Sequence, residues 1–330
     1  MTTPVLICDD SSFAQKQMAR ALPKGWNVSI SFASNGVEAL KAIEAGKGDI
    51  LFLDLNMPVM DGYEVLQSLH GAGMKTKVVV VSGDIQPEAY QRVMKLGALA
   101  FIKKPIVESQ LGEVLDTHKL RGTLTSTIQH IEVKTDLRDV YREIANVAMG
   151  RAADFLARLL GAFVVMPIPN VNMIEVAELR MALDEIAAGD NVTAVCQGFI
   201  GAGVAGEALL IFNESSIKDI AELMKYDGII DDSMELELLM DISNVLIGAC
   251  LKGIVDQLDI SFSQGHPMVL GRHIKVADLL KGNAMKWKQT FAIEMGYRIE
   301  NRRINCDLLL LFTEDSMDAM RRHVWHLLEG

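Results

Sequence analysis

The sequence predicts an α/β protein of two domains: a five-stranded, doubly wound parallel sheet, followed by an α+β domain with an antiparallel sheet and a pseudo-two-fold repeat. Three observations lead to this prediction. Apolar, strand-length runs alternate with helical patterns over residues 1–121, and polar residues follow those runs. The rest of the chain contains an internal repeat and amphipathic strand pairs.

The first domain, assigned to residues 1–121, consists of five βα units. Its predicted strands lie near Val5–Cys8, Asn27–Ala33, Ile50–Leu55, Val78–Val81 and Ala100–Ile102. The helical patterns lie near Ser12–Ala21, Gly36–Ala45, Gly62–Gly71, Pro87–Leu96 and Ile106–His118. Nearly continuous apolar runs are typical of parallel strands buried on both faces. In such sheets, ligands bind outside the carboxyl ends of the strands.

The second domain is assigned to residues 135–330, after a predicted linker at residues 122–134 that is richer in Thr and Ser. One long helix is expected to begin near Asp136 and another near Asp232. Two antiparallel strand pairs are predicted from alternating apolar residues. They are Val192–Gln197 with Glu207–Phe212, and Phe291–Ile299 with Asn305–Phe312.

Eight residues of the first long helix recur in the second. Glu143–Gly150 (EIANVAMG) aligns without gaps with Asp241–Gly248 (DISNVLIG), 98 residues later, and four of the eight positions are identical. Each copy precedes a predicted strand pair, which favours two halves related by a pseudo-two-fold axis. The alternative is a chance similarity between two amphipathic helices.

Charge and composition exclude several classes of protein. Residues 1–121 contain 13 basic and 13 acidic residues, whereas residues 122–330 contain 19 and 30 and so carry the whole net charge of −11. Because nucleic-acid binding leaves a basic footprint, a DNA-binding regulator is disfavoured. No uninterrupted apolar run reaches the ~18–20 residues of a membrane helix. With no evident signal peptide and four widely spaced cysteines, we expect a cytoplasmic protein.

Polar residues occupy the predicted carboxyl ends of four strands: Asp9 and Asp10, Asp54, Ser82, and Lys104. Three carboxylates at one sheet edge repel one another unless a divalent cation binds, and oxygen ligands suit Mg²⁺. Asp54 could then act as a nucleophile, with Lys104 and Ser82 contacting a phosphoryl group. Each residue also has a structural explanation, as a helix cap, turn or loop residue. Their joint occurrence favours a phosphorylation site.

These residues lie in motifs that resemble the response-regulator receiver family, which has the fold of the chemotaxis protein CheY. The motifs are Leu6–Ser11 (LICDDS), Leu53–Gly62 (LDLNMPVMDG), Val81–Gly83 (VSG) and Phe101–Pro105 (FIKKP). The resemblance covers residues 4–120. It implies that a histidine kinase phosphorylates Asp54.

The resemblance also implies the ligands of the Mg²⁺ ion. Asp10, Asp54 and the Asn56 carbonyl would bind it directly, and Asp9 would act through water. Ser82 and Phe101 match the two switch positions of the family.

The first long helix carries Asp139, Glu143 and Asn146, which share one helical face. This pattern resembles the signature of the CheC/CheX/FliY phosphatases, which dephosphorylate receiver domains, and the resemblance covers roughly residues 135–330. It implies that Asn146 orients a water for in-line attack on the aspartyl phosphate. Glu143 would engage the active-site lysine of the receiver. A solvated helix face with caps and charge pairs is the structural alternative.

The second copy implies a second catalytic pair, Asp241 and Asn244. It departs from the family pattern, because Asp241 replaces the usual Glu and Glu237 replaces the usual Asp or Ser. A side chain that falls slightly short of its target can lower the reaction rate considerably. We therefore expect the first site to be the more active one.

The leading hypothesis is a receiver fused to a phosphatase for aspartyl-phosphorylated receivers. The target is either its own Asp54 or a separate CheY-like receiver with Asp54 as the control input, and we favour the second. The alternative is a non-enzymatic, phosphorylation-gated binding protein with a degenerate CheC-like domain. Homodimer formation is left open.

Overall fold

The chain forms two compact units, Met1–Glu143 and Ile144–Gly330. The computed structural model describes residues 2–121, 136–175, 192–213, 216–274 and 289–329. The first unit includes the start of the long helix that we assigned to the second domain from the sequence. The predicted linker, residues 122–134, lies outside the described residues.

The first unit contains five strands that form one parallel sheet. The strands are β1 (Thr3–Cys8), β2 (Val28–Ala33), β3 (Ile50–Leu53), β4 (Lys77–Ser82) and β5 (Ala100–Lys103). The helices are α1 (Ser12–Ala21), α2 (Gly36–Glu44), α3 (Gly62–Gly71), α4 (Pro87–Lys95) and α5 (Glu108–Thr117). The strand order is β2-β1-β3-β4-β5, and every pairing is parallel. The predicted doubly wound sheet is therefore confirmed.

Alternate residues of the buried strands face two separate cores. Val5 and Ile7 of β1 lie in a cluster that α1 and α5 cover, for example through Leu111. Leu6 and Cys8 lie in a second cluster that α2, α3 and α4 cover. Burial on both faces explains why these strands are nearly continuous apolar runs in the sequence.

Helix caps determine where the chain leaves the sheet. The Ser11 side chain accepts a hydrogen bond from the Ala14 N–H at the start of α1. Asp61 and Glu64 form a reciprocal capping box at the start of α3. Such caps satisfy N–H groups that have no partner within the helix. The loops that end at these two caps, residues 9–11 and 54–61, carry the three aspartates of the sheet edge.

The second unit contains an antiparallel sheet and long helices. Its described helices are α6 (Leu137–Leu160, which begins in the first unit), α7 (Ser216–Leu223), α8 (Asp232–Leu258) and α9 (Ser316–Glu329). Its described strands are β6 (Val164–Val165), β7 (Asn170–Glu175), β8 (Val192–Gly201), β9 (Val204–Asn213), β10 (Ser263–Gln264), β11 (Met268–Ile274), β12 (Gln289–Ile299) and β13 (Asn305–Phe312). The two predicted strand pairs are confirmed as the β8–β9 and β12–β13 hairpins.

The element order and the strand pairing both repeat within this unit. Among the described elements, a long helix, two short strands, a hairpin and a helix occur once from α6 to α7 and again from α8 to α9. The short strands β6 and β7 pair with β12, whereas β10 and β11 pair with β8. The hairpins meet through β9 and β13. Each half thus completes the sheet of the other half, as a pseudo-two-fold arrangement requires.

The short strands and the two shorter helices were not predicted from the sequence. Two of the strands have only two residues, and β11 contains register shifts against β8. Segments of this kind carry too little periodicity to indicate a structure by themselves.

The helices α6 and α8 pack closely against each other in the second unit. A Cβ atom at Gly253 of α8 would lie only 2.7 Å from the Ala148 Cα atom of α6, which requires a residue without a side chain. Arg151 forms an ion pair with Asp256 at 2.8 Å. The two copies of the repeat therefore lie on adjacent helices whose backbones are in contact.

Among the described residues, one helix, α8, is long and apolar enough on average to span a membrane. Of its most apolar stretch, 56% is buried inside the protein. Residues such as Leu239, Leu246 and Cys250 are fully buried, as in the core helix of a folded domain. Charged residues interrupt the helix, so the sequence contains no uninterrupted apolar run of this length.

Candidate functional site

Polar side chains meet at one edge of the parallel sheet. Asp9 and Asp10 follow β1, Asp54 follows β3, Ser82 ends β4 and Lys104 follows β5. These four strands are neighbours in the sheet, so their carboxyl ends lie side by side. The structure thus brings together the residues that the sequence analysis placed there.

The three aspartates form a cluster with excess negative charge. One carboxylate oxygen from each of Asp9, Asp10 and Asp54 lies within 4.8 Å of the other two. Burial raises the pKa of Asp54, an effect that the nearby Lys104 opposes. Burial, followed by the charge of Asp9, raises the pKa of Asp10 to about 7. Three carboxylates gathered this closely, two of them buried and one partly buried, offer the oxygen ligands that suit a divalent cation.

The loop after β3 fixes the surroundings of Asp54. The Asn56 N–H donates a hydrogen bond to Asp54 Oδ2 at 2.9 Å, which fixes the orientation of the carboxylate. A Cβ atom at Gly62 would collide with the Asp54 carbonyl oxygen. Only glycine therefore allows α3 to begin so close to Asp54.

The Lys104 ammonium group lies among three carboxylates of the first unit. Its Nζ atom is 2.7 Å from Asp9 Oδ2, 3.1 Å from Asp54 Oδ1 and 3.1 Å from Glu143 Oε1. Burial by itself lowers the pKa of Lys104, but Asp54, Asp9 and Glu143 raise it well above its usual value. The lysine is therefore charged, and Glu143 of α6 is one of its direct partners.

Glu143 is itself buried at this position, with a side chain only 6% exposed. Burial raises its pKa to about 7, and the charge of Lys104 opposes this rise. Asn146 lies three residues further along α6, in the second unit, on the same face of the helix. The acid–Asn pair of the first copy thus begins at a residue that contacts the receiver lysine.

Two further residues at the start of α6 contact the first unit. The Asp139 Oδ2 atom accepts hydrogen bonds from the Ser12 hydroxyl (2.7 Å) and from the Phe13 N–H (2.8 Å). Arg142 Nη2 donates to Asp139 Oδ1 at 2.9 Å and to the Asp10 carbonyl at 3.2 Å. The sequence analysis did not identify Arg142 or Ser12. One difference between the two copies of the repeat could have pointed to Arg142: Met240 occupies the equivalent position in the second copy.

Ser82 and Phe101, the residues that the resemblance implies as switch positions, lie on β4 and β5. Ser82 is buried, and its Oγ atom accepts a hydrogen bond from the Asp84 N–H at 3.1 Å, which leaves the hydroxyl proton to donate elsewhere. Phe101 is half-buried and forms an edge-to-face contact with the exposed Tyr90, with ring centroids 5.9 Å apart.

The second acid–Asn pair has different surroundings. Asp241 and Asn244 lie on α8 and are exposed to solvent. Around Gly248, one turn beyond Asn244, an added Cβ atom would meet no atom within 4 Å. The second copy therefore keeps the sequence pattern on an open helix face.

Comparisons with known proteins identify the first part of the chain. Residues 5–116 match the family model of the response regulator receiver domain. The two-component response regulator ORR41 of Oryza sativa subsp. japonica is 32% identical over 120 residues, which cover 35% of this chain and 94% of that protein. A protein-glutamate methylesterase/protein-glutamine glutaminase of Geobacter sulfurreducens is 32% identical over 152 residues. The match covers 44% of this chain and only 40% of the length of that protein.

The solved structure of FliY from Thermotoga maritima matches 58% of this chain and 96% of the FliY chain, with 18% identity and a TM-score of 0.45.

The rice regulator is matched over nearly its whole length, and the match extends over the part of the chain that folds into the five-stranded parallel sheet. The chain therefore belongs to the response regulator receiver family.

Proposed function

We propose that this protein is a two-component signalling protein that is phosphorylated on Asp54 and whose second domain hydrolyses aspartyl phosphate on receiver domains. The observation that carries the proposal is the 3.1 Å ion pair between Lys104 and Glu143. It joins the receiver lysine to the acidic residue of the acid–Asn pair on α6. A chemotaxis-related pathway fits the resemblance of this helix to the CheC/CheX/FliY signature.

In the phosphorylation step, an Asp54 carboxylate oxygen attacks the phosphorus of a histidine kinase phosphohistidine, and the nitrogen–phosphorus bond breaks. Mg²⁺, held by Asp10, Asp54 and the Asn56 carbonyl with Asp9 acting through water, would neutralise charge on the phosphoryl oxygens. The Lys104 ammonium neutralises a further oxygen, and the Ser82 hydroxyl donates a hydrogen bond.

In the hydrolytic step, the Asn146 carboxamide oxygen accepts a hydrogen bond from a water and so orients it behind the phosphorus. Attack by this water breaks the bond between phosphorus and the Asp54 oxygen. The products are inorganic phosphate, which retains the water oxygen, and the free Asp54 carboxylate. Glu143 holds the lysine, and an acyl phosphate is reactive enough that no protein nucleophile is needed.

The contact with Lys104 also bears on the choice of target. Because Glu143 meets the lysine of its own chain, we propose Asp54 of the same protein as a substrate, in addition to a separate CheY-like receiver. The Asp241–Asn244 pair would be the weaker catalytic site.

The four described cysteines are all buried and unpaired, which fits a reducing cytoplasm.

A non-enzymatic function has one specific observation in its favour. A phosphoryl group on Asp54 would add a partner to Lys104, whose three N–H donors already face Asp9, Asp54 and Glu143. Phosphorylation would therefore change the contact between the receiver and the start of α6, and such a change can gate binding without any hydrolysis.

One experiment tests the main proposal. Full-length protein is labelled with a small phosphodonor and Mg²⁺, and the decay of the label is followed after the donor is removed. Asp54→Ala should abolish labelling, whereas Asp116→Ala, at an exposed aspartate of α5, should not. Asn146→Ala should lengthen the phosphoryl lifetime. Labelling that survives in Asp54→Ala contradicts the acceptor, and an unchanged lifetime in Asn146→Ala supports the non-enzymatic function instead.

A further inference from the structure

A pair of residues that precedes Glu143 on α6 holds the start of α1. Asp139 accepts hydrogen bonds from the Ser12 hydroxyl and the Phe13 N–H, at 2.7 and 2.8 Å. The first N–H groups of a helix have no partner within the helix, and the helix dipole favours a carboxylate beside them. Ser11, the local cap, takes the Ala14 N–H. Asp139 therefore acts as a second cap, supplied by a residue 126 positions away.

Arg142 completes this arrangement. Its Nη2 atom donates to the second oxygen of Asp139 at 2.9 Å and to the Asp10 carbonyl at 3.2 Å. The side chains of Asp139 and Asp10 are each 12% exposed, and that of Arg142 is 35% exposed. Both oxygens of Asp139 are thus occupied, and charge-assisted hydrogen bonds of this kind are short and directional.

The geometry places these contacts next to the chemical site. Asp139 and Glu143 are four residues apart, so they lie one turn apart on one face of α6. The first contacts α1 and the second contacts Lys104. A shift of α6 that broke the Asp139 contacts would also move Glu143 away from the lysine.

We propose that Asp139 and Arg142 form a recognition clamp that selects receivers with a hydroxyl residue at the position of Ser12 and positions them for hydrolysis. Asp139 of the clamp accepts hydrogen bonds from two groups. The N–H at the start of α1 is present in every receiver, whereas the Ser12 hydroxyl depends on the sequence of the receiver. Asp139 and Arg142 are positioning residues, because their side chains contact neither Asp54 nor Lys104. This inference rests on the proposed phosphatase function.

The second copy of the repeat lacks half of the clamp. Glu237 occupies the position of Asp139, but Met240 occupies that of Arg142. A thioether cannot donate hydrogen bonds, so nothing at this position would orient the acidic residue or reach a carbonyl of the receiver. The clamp thus gives a reason, independent of Asp241, for unequal sites.

The test measures the lifetime of the phosphoryl group on Asp54 in the full-length protein at saturating Mg²⁺. Asp139→Ala should slow hydrolysis by about 10- to 100-fold, and Ser12→Ala and Arg142→Met by about three- to tenfold each, from the hydrogen bonds lost. Asp116→Ala removes an exposed carboxylate of α5 and serves as the matched control, with an expected change below about twofold. Unfolding midpoints and initial labelling show whether each variant is folded.

A double-mutant cycle separates recognition from a general structural effect. If the clamp operates, Ser12→Ala has little further effect in Asp139→Ala, and neither has an effect in Asn146→Ala. Fully additive effects, or an unchanged lifetime in Asp139→Ala, would overturn the clamp. So would a lifetime that Asp139→Ala still alters in the Asn146→Ala background. If Asn146→Ala itself leaves the wild-type lifetime unchanged, it is the phosphatase function that fails.

Discussion

The two helices that carry the acid–Asn repeat differ mainly in what surrounds the acidic residue. On α6, Glu143 is buried against Lys104, and Asp139 and Arg142 hold the start of α1. On α8, Asp241 and Asn244 face solvent. Helical spacing is the same in both copies. The difference teaches that the spacing aligns the side chains of each copy, while long-range packing decides whether the acidic residue meets a charged partner.

The largest expected effect concerns the two asparagines. Asn146→Ala should slow dephosphorylation of Asp54 by about 100-fold, because misplacing a reacting group by ~1 Å can cost that much. Asn244→Ala should change the rate by less than about twofold, since Asp241 is shorter and lacks an arginine beside it. The measurement is the single-turnover decay of labelled protein for both variants. Equal losses would mean that the exposed copy is as competent as the buried one.

The pH dependence of stability should also differ between the copies. The pKa of Glu143 is raised to about 7 by burial. Between its ordinary value, near 4.5, and about 7, the native protein holds a proton that the unfolded chain releases. The free energy of unfolding therefore falls as the pH rises through this window, by at most about 3 kcal/mol for this group.

Two matched variants check this expectation. Glu143→Gln should flatten the decline between pH 5 and pH 8, whereas Asp241→Asn, at an exposed position, should leave it unchanged. Amide hydrogen exchange of β1 and β3, measured without divalent cations, follows the first unit separately from the second. A decline that persists in Glu143→Gln would assign it to the aspartate cluster alone.

The smallest expected effect comes from rebuilding the second copy. In an Asn146→Ala background, the double change Met240→Arg and Asp241→Glu should raise the rate of hydrolysis a few-fold above that of Asn146→Ala alone. The reason is that it supplies the arginine and the longer carboxylate of the first copy. Since the α8 face is exposed, the recovered rate should rise with protein concentration, as measured by label decay over a dilution series. Recovery that is independent of concentration would instead mean attack within one molecule, and no recovery would show that residues outside the repeat limit this site.

Most of the receiver was predictable because its signals are local. Apolar runs bounded by caps gave strands and helices within two residues of those observed. Parallel topology then brings the strand ends to one edge, so Asp9, Asp54 and Lys104 could be grouped without coordinates. The repeat likewise predicted two related halves, since identical helical spacing is visible in the sequence itself.

Only the tertiary structure decided which copy of the repeat has a partner. The contacts of Asp139 with Ser12 and of Glu143 with Lys104 join residues 127 and 39 positions apart, and no local pattern encodes them. Arg142 looks like any polar helix residue until its guanidinium meets Asp10. The sequence determined which side chains share a helical face, because that depends on backbone periodicity alone. Which of those faces is buried depends on long-range packing, and the two equivalent helices differ in that respect.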